Sequence, residues 1–321
     1  MRATRRLVLG LAAAPFAAAA QTDRYPDHAV RLVVPFAPGG PTDVMARVLS
    51  AGLTALLGQP VVVENRGGGG GNIGAAHVAR SAPDGYTLLV ASTGFVVNPS
   101  LFRNPGYDPV RDFAPVTLLG ASPNVIIAGA QSGITSLEGL VAAARSRPGG
   151  LDMANPGTGS TPHLTAELLR LRAGIDFVQI THASAALAVQ SVLGGVTPVG
   201  VAALPPAQPH ILSGAVRALA ITSAERWPDL PEVPTMQELG YPGFVSETFQ
   251  ALLAPAGTRA GIQGRLARDC LAVLAEPATR AKLRAAGFGI EARGPADLAD
   301  RIAREVPLWR DIIRQAGIPP E

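Results

Sequence analysis

Cysteine is almost absent: of 321 residues only Cys270 carries a thiol, which excludes an intramolecular disulfide and any cysteine-based zinc site. Cys270 lies in "RLARDCLAVLAE", a helical pattern that assigns the thiol to packing rather than to nucleophilic chemistry. Aromatic residues are scarce at 5%, while hydrophobic residues as a whole reach 47%, enough for substantial cores made mainly of aliphatic side chains. The five histidines, His28, His77, His163, His182 and His210, have no H-E-x-x-H or related spacing, so no metal site is expected. No calcium-loop pattern of acids occurs. A G-x-S-x-G nucleophile elbow is also missing, because "GTGST" (157–161) has its serine in the wrong place. Neither a catalytic residue nor a cofactor is predicted.

A basic excess is missing too, once the first residues are set aside. "MRATRRLVLGLAAAPFAAAAQTD" has Arg2, Arg5 and Arg6, then an apolar stretch from Leu7, then Ala18-Ala19-Ala20. That is the pattern of a cleaved signal peptide over 1–20. The apolar stretch is too short for a comfortable membrane span, and Gln21 rather than Cys follows the cleavage site, so no lipid anchor is expected. Arg5-Arg6 fits a twin-arginine signal, but Sec signals carry such pairs as well. Either route predicts a soluble, unanchored periplasmic protein. Removing three arginines leaves 24 basic and 24 acidic residues, so no nucleic-acid face is implied.

The remaining chain is long for one core, and two lobes are the natural expectation. "VRLVVPF" (30–36) reads as a buried strand, followed by "APGGPTD" and a helix whose Met45, Val48, Leu49, Leu53 and Leu56 mark one face. "PVVVEN" is a second strand, residues 73–80 its helix, and "GYTLLVAST" (85–93) a third strand. After "YDPVRDFAPVTLLGASPNVIIAG" a second α/β series begins. It has a helix in "SLEGLVAAARSRP", a strand in "LDMAN", and a helix in "TPHLTAELLRLRAG" with Thr161 as its N-cap. "DFVQIT", "VTPVGVA" and "VRALAITSA" supply further strands, with helical stretches near 184–193 and 207–213. The tail from Ala260 reads as mostly helical. Repeated crossovers imply parallel sheets covered by helices. Ligands of such folds sit beyond the carboxyl ends of the strands, which directs attention to 37–43, 66–74, 92–98, 155–163, 181–184 and 202–206.

Gly69, Gly71 and Gly74 fall at the G-x-G-x-x-G spacing of a dinucleotide site. The context opposes it. A strand and a long helix precede the loop, and the next strand ends in Ser92 and Thr93 rather than in an acid for a ribose. The cleft loops are instead rich in Gly, Ser, Thr and Asn and poor in charge. "APGGPTD" and "NPGTGSTPH" (155–163) each lie directly before a helix, where unpaired backbone N–H groups attract anions. Either alone reads as plain N-capping. Two such helix starts facing each other suit a small carboxylate.

The run from "VRLVVPFAPGGPTD" to "APDGYTLLVAST", continued by "NPSLF", "YDPVRDFAPVTLL", "GTGSTPHLTAELL", "RALAITSAERWPDLPEVPTMQELGYPGF" and "LLAPAG", resembles the Bug family. Its members are extracytoplasmic binding proteins of tripartite tricarboxylate transporters. The resemblance covers nearly all of the mature chain. It implies an α/β, two-lobed periplasmic binding protein of type II (Venus-flytrap), each lobe a mixed, mostly parallel sheet with two crossing segments. Domain 1 would combine 25–124 and 250–321, and domain 2 would span 125–249. It implies a small carboxylate ligand, delivery to membrane permease subunits, and a monomeric receptor.

Carried onto this chain, the matching positions are Phe36, Gly39, Gly40, Thr42 and Asp43 in the first loop, with Asp43 read as a helix cap. Ser92, Thr93, Gly94 and Asn98 match the second loop, and Thr158, Ser160, Thr161 and His163 the helix start of domain 2. Three departures stand out. Pro41 replaces a serine-like residue, His182 stands at a tyrosine position, and Ala202 or Ala203 replaces a residue that is often acidic or amide. His182 either pairs with a carboxylate or packs in its loop. An exported sensor for a signalling partner is an alternative function, as is an exported enzyme acting on a small acid through His163 or His182.

Overall fold

The computed structural model describes residues 25–147 and 149–320, so the predicted export signal lies outside the described residues. β1 (Val30–Val34) turns Val30, Leu32 and Val34 into one core and Val33 into another, as a strand buried on both faces must. α1 (Pro41–Leu57) follows it, then β2 (Val61–Asn65), α2 (Asn72–Ala79), β3 (Thr87–Ser92) and α3 (Gly94–Leu101). β1 pairs in parallel with β2 and with β3.

β4 (Phe113–Gly129) is the longest strand and joins the lobes. Up to Pro123 it pairs antiparallel with β9 (Glu247–Pro255), and from Asn124 onward with β7 (Val199–Ala203) and β8 (Val216–Ile221). Between these lie α4 (Leu137–Arg145), β5 (Leu151–Asn155), α5 (Thr161–Ala173), β6 (Phe177–Thr181), α6 (Ala185–Leu193) and α7 (Leu204–Leu212). α8 (Ala260–Ala275), α9 (Pro277–Ala285), β10 (Gly289–Arg293) and α10 (Pro295–Ala316) complete the chain. The sheet runs β2-β1-β3-β9-β4-β7-β5-β6, with β8 and β10 also on β4. Each lobe is therefore a mixed sheet with a helical layer on either face, and the whole is a two-lobed periplasmic binding fold of type II. One face of the first lobe packs against α1 and α8, the other against α2, α3 and α10. In the second lobe Ile126 and Ala128 face α4 and α5, while Val125 and Ile127 face α6 and α7.

Several sequence expectations need correction. β4 and β9 are strands that the sequence reading left unassigned, and "FGIEAR" in the supposedly helical tail forms β10. The expected loop 92–98 is the end of β3 and the first half of α3. α5 is capped by Ser160, whose Oγ accepts the His163 N–H at 3.3 Å, so Thr161 is the first helical residue rather than the cap. On α1, Leu57 is 6% exposed and Leu56 46%, because 3.6-residue periodicity continues Leu53 to Leu57 on the same face.

The five-glycine loop has a steric explanation. Gly69, Gly70 and Gly71 all have positive φ, at 56, 64 and 100°, which only glycine adopts without penalty. A Cβ on Gly74 would lie 2.8 Å from the Arg66 carbonyl oxygen and from Pro35 Cα, so α2 reaches β1 only with glycine there. The fingerprint spacing arises from turn geometry and close helix packing. Cys270 is completely buried, and burial pushes its thiol up to about 12, consistent with packing.

Leu57→Ala is expected to lower unfolding stability by about 2–5 kcal/mol and Leu56→Ala by less than about 1 kcal/mol, measured by urea denaturation at constant slope. Equal losses at both positions would contradict the assigned helix face.

Candidate functional site

Five helices begin at one cavity of about 250 Å³ between the lobes. α1 contributes Pro41 and Thr42, α3 Gly94, α5 Thr161 and Pro162 with its cap Ser160, α6 Ala185, and α7 its N-terminal neighbour Ala203. Each helix follows directly from a strand whose carboxyl end points at the cleft, so topology sets the convergence. First-turn N–H groups lack intrahelical acceptors, and each helix N-terminus carries about half a positive charge. No charged side chain lines the cavity. Positive potential is therefore supplied by backbone dipoles alone. Larger hollows lie elsewhere, for example about 400 Å³ beside Ile134, Arg217 and Val233, but this one opens at the amino end of β8 and the far end of β4, away from the cleft.

Among the residues singled out from the sequence, Phe36, Thr42, Ser92, Gly94, Asn98, Thr158, Ser160 and Thr161 line the cavity. Thr161 Oγ1 meets Thr248 Oγ1 at 2.8 Å, and Ser160 Oγ also donates to the Gly157 carbonyl at 2.7 Å. Asn98 is held in place, its Nδ2 donating to Gly70 O at 2.9 Å and to Asn72 Oδ1 at 2.7 Å. Pro41 lines the wall at the first helical position, where an intrahelical donor would be unused in any case.

The other singled-out residues stand behind this wall. Asp43 accepts from the Gly39 N–H, from Asn65 and from both nitrogens of an Arg47 fork. Burial raises its pKa, but the Arg47, Gly39 and Asn65 hydrogen bonds outweigh that and hold the carboxyl below its usual range. Asp43 thus fixes Gly39 and the turn that Gly40 ends. Thr93 Oγ1 donates to Glu247 O and accepts from Phe249 N–H, tying β3 to β9. His163 is buried and its Nδ1 accepts the Gly159 N–H at 3.3 Å. Burial keeps its imidazole below the ordinary pKa, against the pull of Glu167, so it shapes the loop as a neutral ring. His182 lies outside the lining; its N–H donates to Asn155 O at 2.8 Å, and its Nε2 is buried without a partner. Ala202 points into the second lobe's core while Ala203 forms the wall, as strand alternation requires.

Sequence reasoning missed Gly70, Pro156, Gly159, Pro162, Ala185, Thr248 and Gln250. For the last two a signal existed: "ETFQALLAP" alternates Thr248 and Gln250 with Phe249 and Ala251, the period of a strand. Gln250 is 0% exposed, and neither its Nε2 nor its Oε1 has a hydrogen-bond partner. The described residues contain no group of three or more His, Cys, Asp or Glu that could hold a metal, and none of their helices is long and apolar enough to cross a membrane.

Comparison with known proteins gives this geometry a setting. Protein BugT of Bordetella pertussis is 40% identical over 322 residues, 99% of each chain. The structure of the periplasmic binding protein BugD superposes with a TM-score of 0.83 at 35% identity, covering 92% of this chain and 100% of that one. R. palustris Rpa4515, solved with adipate, gives a TM-score of 0.86 at 34% identity over 92% and 100% of the two chains. The family model described as "Tripartite tricarboxylate transporter family receptor" matches residues 45–318. The chain belongs to that family of periplasmic solute-binding receptors.

Proposed function

We propose that this protein captures a small organic carboxylate in the interlobe cavity and delivers it to the membrane permease subunits of a tripartite transporter. The observation that carries this reading is the meeting of five helix N-termini at a cavity lined by no charged side chain. Such a site attracts an anion through fixed dipoles, and among the described residues no ionisable side chain lies at the cavity wall to activate its hydroxyls as nucleophiles. The relative solved with adipate supports a carboxylate as the ligand class. The N–H groups of Thr42 and Thr161 and the hydroxyls of Thr42, Ser92 and Thr158 are the donors we assign to it.

Domain 1 comprises 25–124 and 250–321 and domain 2 comprises 125–249 in this reading. Closure is a hinge rotation about β4 and the segment entering β9 that brings the α5 side over the α1 and α3 side, favoured by contacts made only when shut. The protein acts in the periplasm after loss of residues 1–20.

Three measurements test the proposal. In a thermal-shift screen of mono-, di- and tricarboxylates, at least one acid raises the melting temperature by the equivalent of about 2.7 kcal/mol at a hundredfold excess over its Kd. Mass spectrometry should recover that acid unchanged; a chemically altered product, or stabilisation by nicotinamide nucleotides alone, would refute a binding protein. Ser92→Ala removes a hydroxyl with no protein partner, so it should weaken acid binding about five- to tenfold while leaving the unliganded melting temperature unchanged. Because no titrating side chain lines the cavity and His163 is already neutral above its lowered pKa, affinity should stay flat between about pH 7 and 8. At lower pH it should fall as His163 takes up a proton and can no longer accept from Gly159, and again as the ligand's own carboxyl becomes protonated, near about pH 4.

A further inference from the structure

β9 carries one face from the hydrophobic core into the cleft. Leu252 and Ala254 belong to the first core, while Thr248 and Gln250, on the same face by period-two alternation, line the cavity. Gln250 stands directly opposite Ser92 in the antiparallel β3–β9 register, so the two side chains are neighbours on the cavity floor. The hydroxyl of Ser92 has no protein partner, and the amide of Gln250 is completely buried with its Nε2 and Oε1 both unpartnered. The contrast with nearby groups is instructive: Asn98 and Thr248 line the same cavity, and both are engaged by protein atoms. A leucine would fill the Gln250 position at no polar penalty. An amide there loses its hydration without compensation unless something in the cavity meets it.

Resting on the reading of this cavity as a carboxylate receptor, we infer that Gln250 determines specificity and that the ligand bears a neutral hydrogen-bond donor, a hydroxyl or a carboxamide, beside its carboxylate. A carboxylate oxygen only accepts, so a plain acid satisfies Nε2 and leaves Oε1 bare. A hydroxyl or carboxamide both donates and accepts, and it meets both ends of the side chain. An ammonium group also donates, but no acidic residue lines the cavity to pair with it, and the five helix N-termini repel it. The selected class is therefore hydroxy- or carboxamide-substituted carboxylates, preferred over unsubstituted and amino-substituted ones.

Calorimetric titration of the mature protein with matched pairs tests this: succinate against 2-hydroxysuccinate, glutarate against 2-hydroxyglutarate, butyrate against succinamate. The wild type is expected to bind at least one donor-bearing member about tenfold more tightly than its plain partner, the worth of one net hydrogen bond. In Gln250→Met, of similar length, that ratio should fall to about one, with affinity for the plain acid reduced less than affinity for its substituted partner, and the unliganded melting temperature unchanged or raised. Gln250→Asn, which keeps the amide on a shorter stem, should restore part of the preference and guards against a packing effect of methionine. A ratio preserved in Gln250→Met, or plain acids bound as tightly as substituted ones by the wild type, would overturn the role of Gln250 and leave the carboxylate receptor standing. Failure of every acid in both series to bind the wild type would overturn the receptor reading, and this inference with it.

Discussion

The shared direction of the strand-to-helix connections is the constraint on which the rest of this structure depends. β1, β3, β5 and β6 each hand the chain to a helix whose first turn borders the same cavity, and β7 ends there at Ala203, the residue before α7. Their unpaired N–H groups accumulate there as a consequence of topology, with no lysine, arginine or histidine added. Dipoles fixed in the backbone need no rotamer freezing when a ligand arrives. A lining without charged side chains also avoids the cost of burying a side-chain charge. The same constraint explains the proline at the start of α1. Pro41 has no N–H, but it presets the helical φ, and the next amide, on Thr42, still points along the helix toward the cleft.

A second requirement is that two chain segments cross between the lobes with most of their buried polar groups paired, Asn124 Oδ1 and Thr117 Oγ1 being exceptions. Asn124, the residue at which β4 changes partners, donates from its backbone to Thr222 Oγ1 at 2.9 Å and from its side chain to Thr165 Oγ1 at 2.9 Å. Thr165 Oγ1 in turn meets Ser246 Oγ at 2.7 Å and donates to the Thr161 carbonyl at 2.8 Å. These side chains are almost wholly buried. The network links the crossing strand, the segment entering β9 and the first turn of α5. Behind the crossing, Arg284 forks onto Asp229, with Nη2 at 2.6 Å from Oδ1, and Trp227 packs against Gly289. The site is thus held by polar links at the crossing and by an exposed ion pair at the rear. The former are the more consequential because water cannot replace them.

Much of the fold was legible where local pattern and tertiary role agree. The apolar runs of β1 and β3, the Met45–Leu53 face of α1 and the glycine and proline punctuation all reported their elements. Legibility failed where tertiary context decides. β4 contains Pro115, Gly120 and Pro123, residues that normally break strands, and its strand character comes from pairing with four partners. β10 is five residues, four half-buried and one exposed, with no run long enough to stand out. At the site, loops that precede helices led to Thr42, Ser92, Ser160 and Thr161, which line the cavity. Helix periodicity could not say which side of a turn a residue occupies, so Asp43 and His163 emerged as supports behind the wall. Strand alternation separates Ala202 from Ala203, but only once the register of β7 is known.

The floor of the cleft shows how one lining can combine general and particular recognition. Backbone amides at helix starts are available to any sequence with this topology, so in the proposed receptor they would carry little information about which ligand is held. Information must come from side chains: the second-lobe wall offers the hydroxyls of Thr158, Ser160 and Thr161, while Pro156, Pro162, Ala185 and Ala203 are small or apolar. They limit size and exclude water but form few directional bonds. In the first lobe Ser92 and Gln250, both buried, lie across from each other on adjacent central strands. Groups on central strands move less than groups on loops, so the geometry they impose would survive the proposed closure of the cleft. The division of labour, with attraction from helix ends and discrimination from the strand floor, follows from where each kind of polar group can be held still.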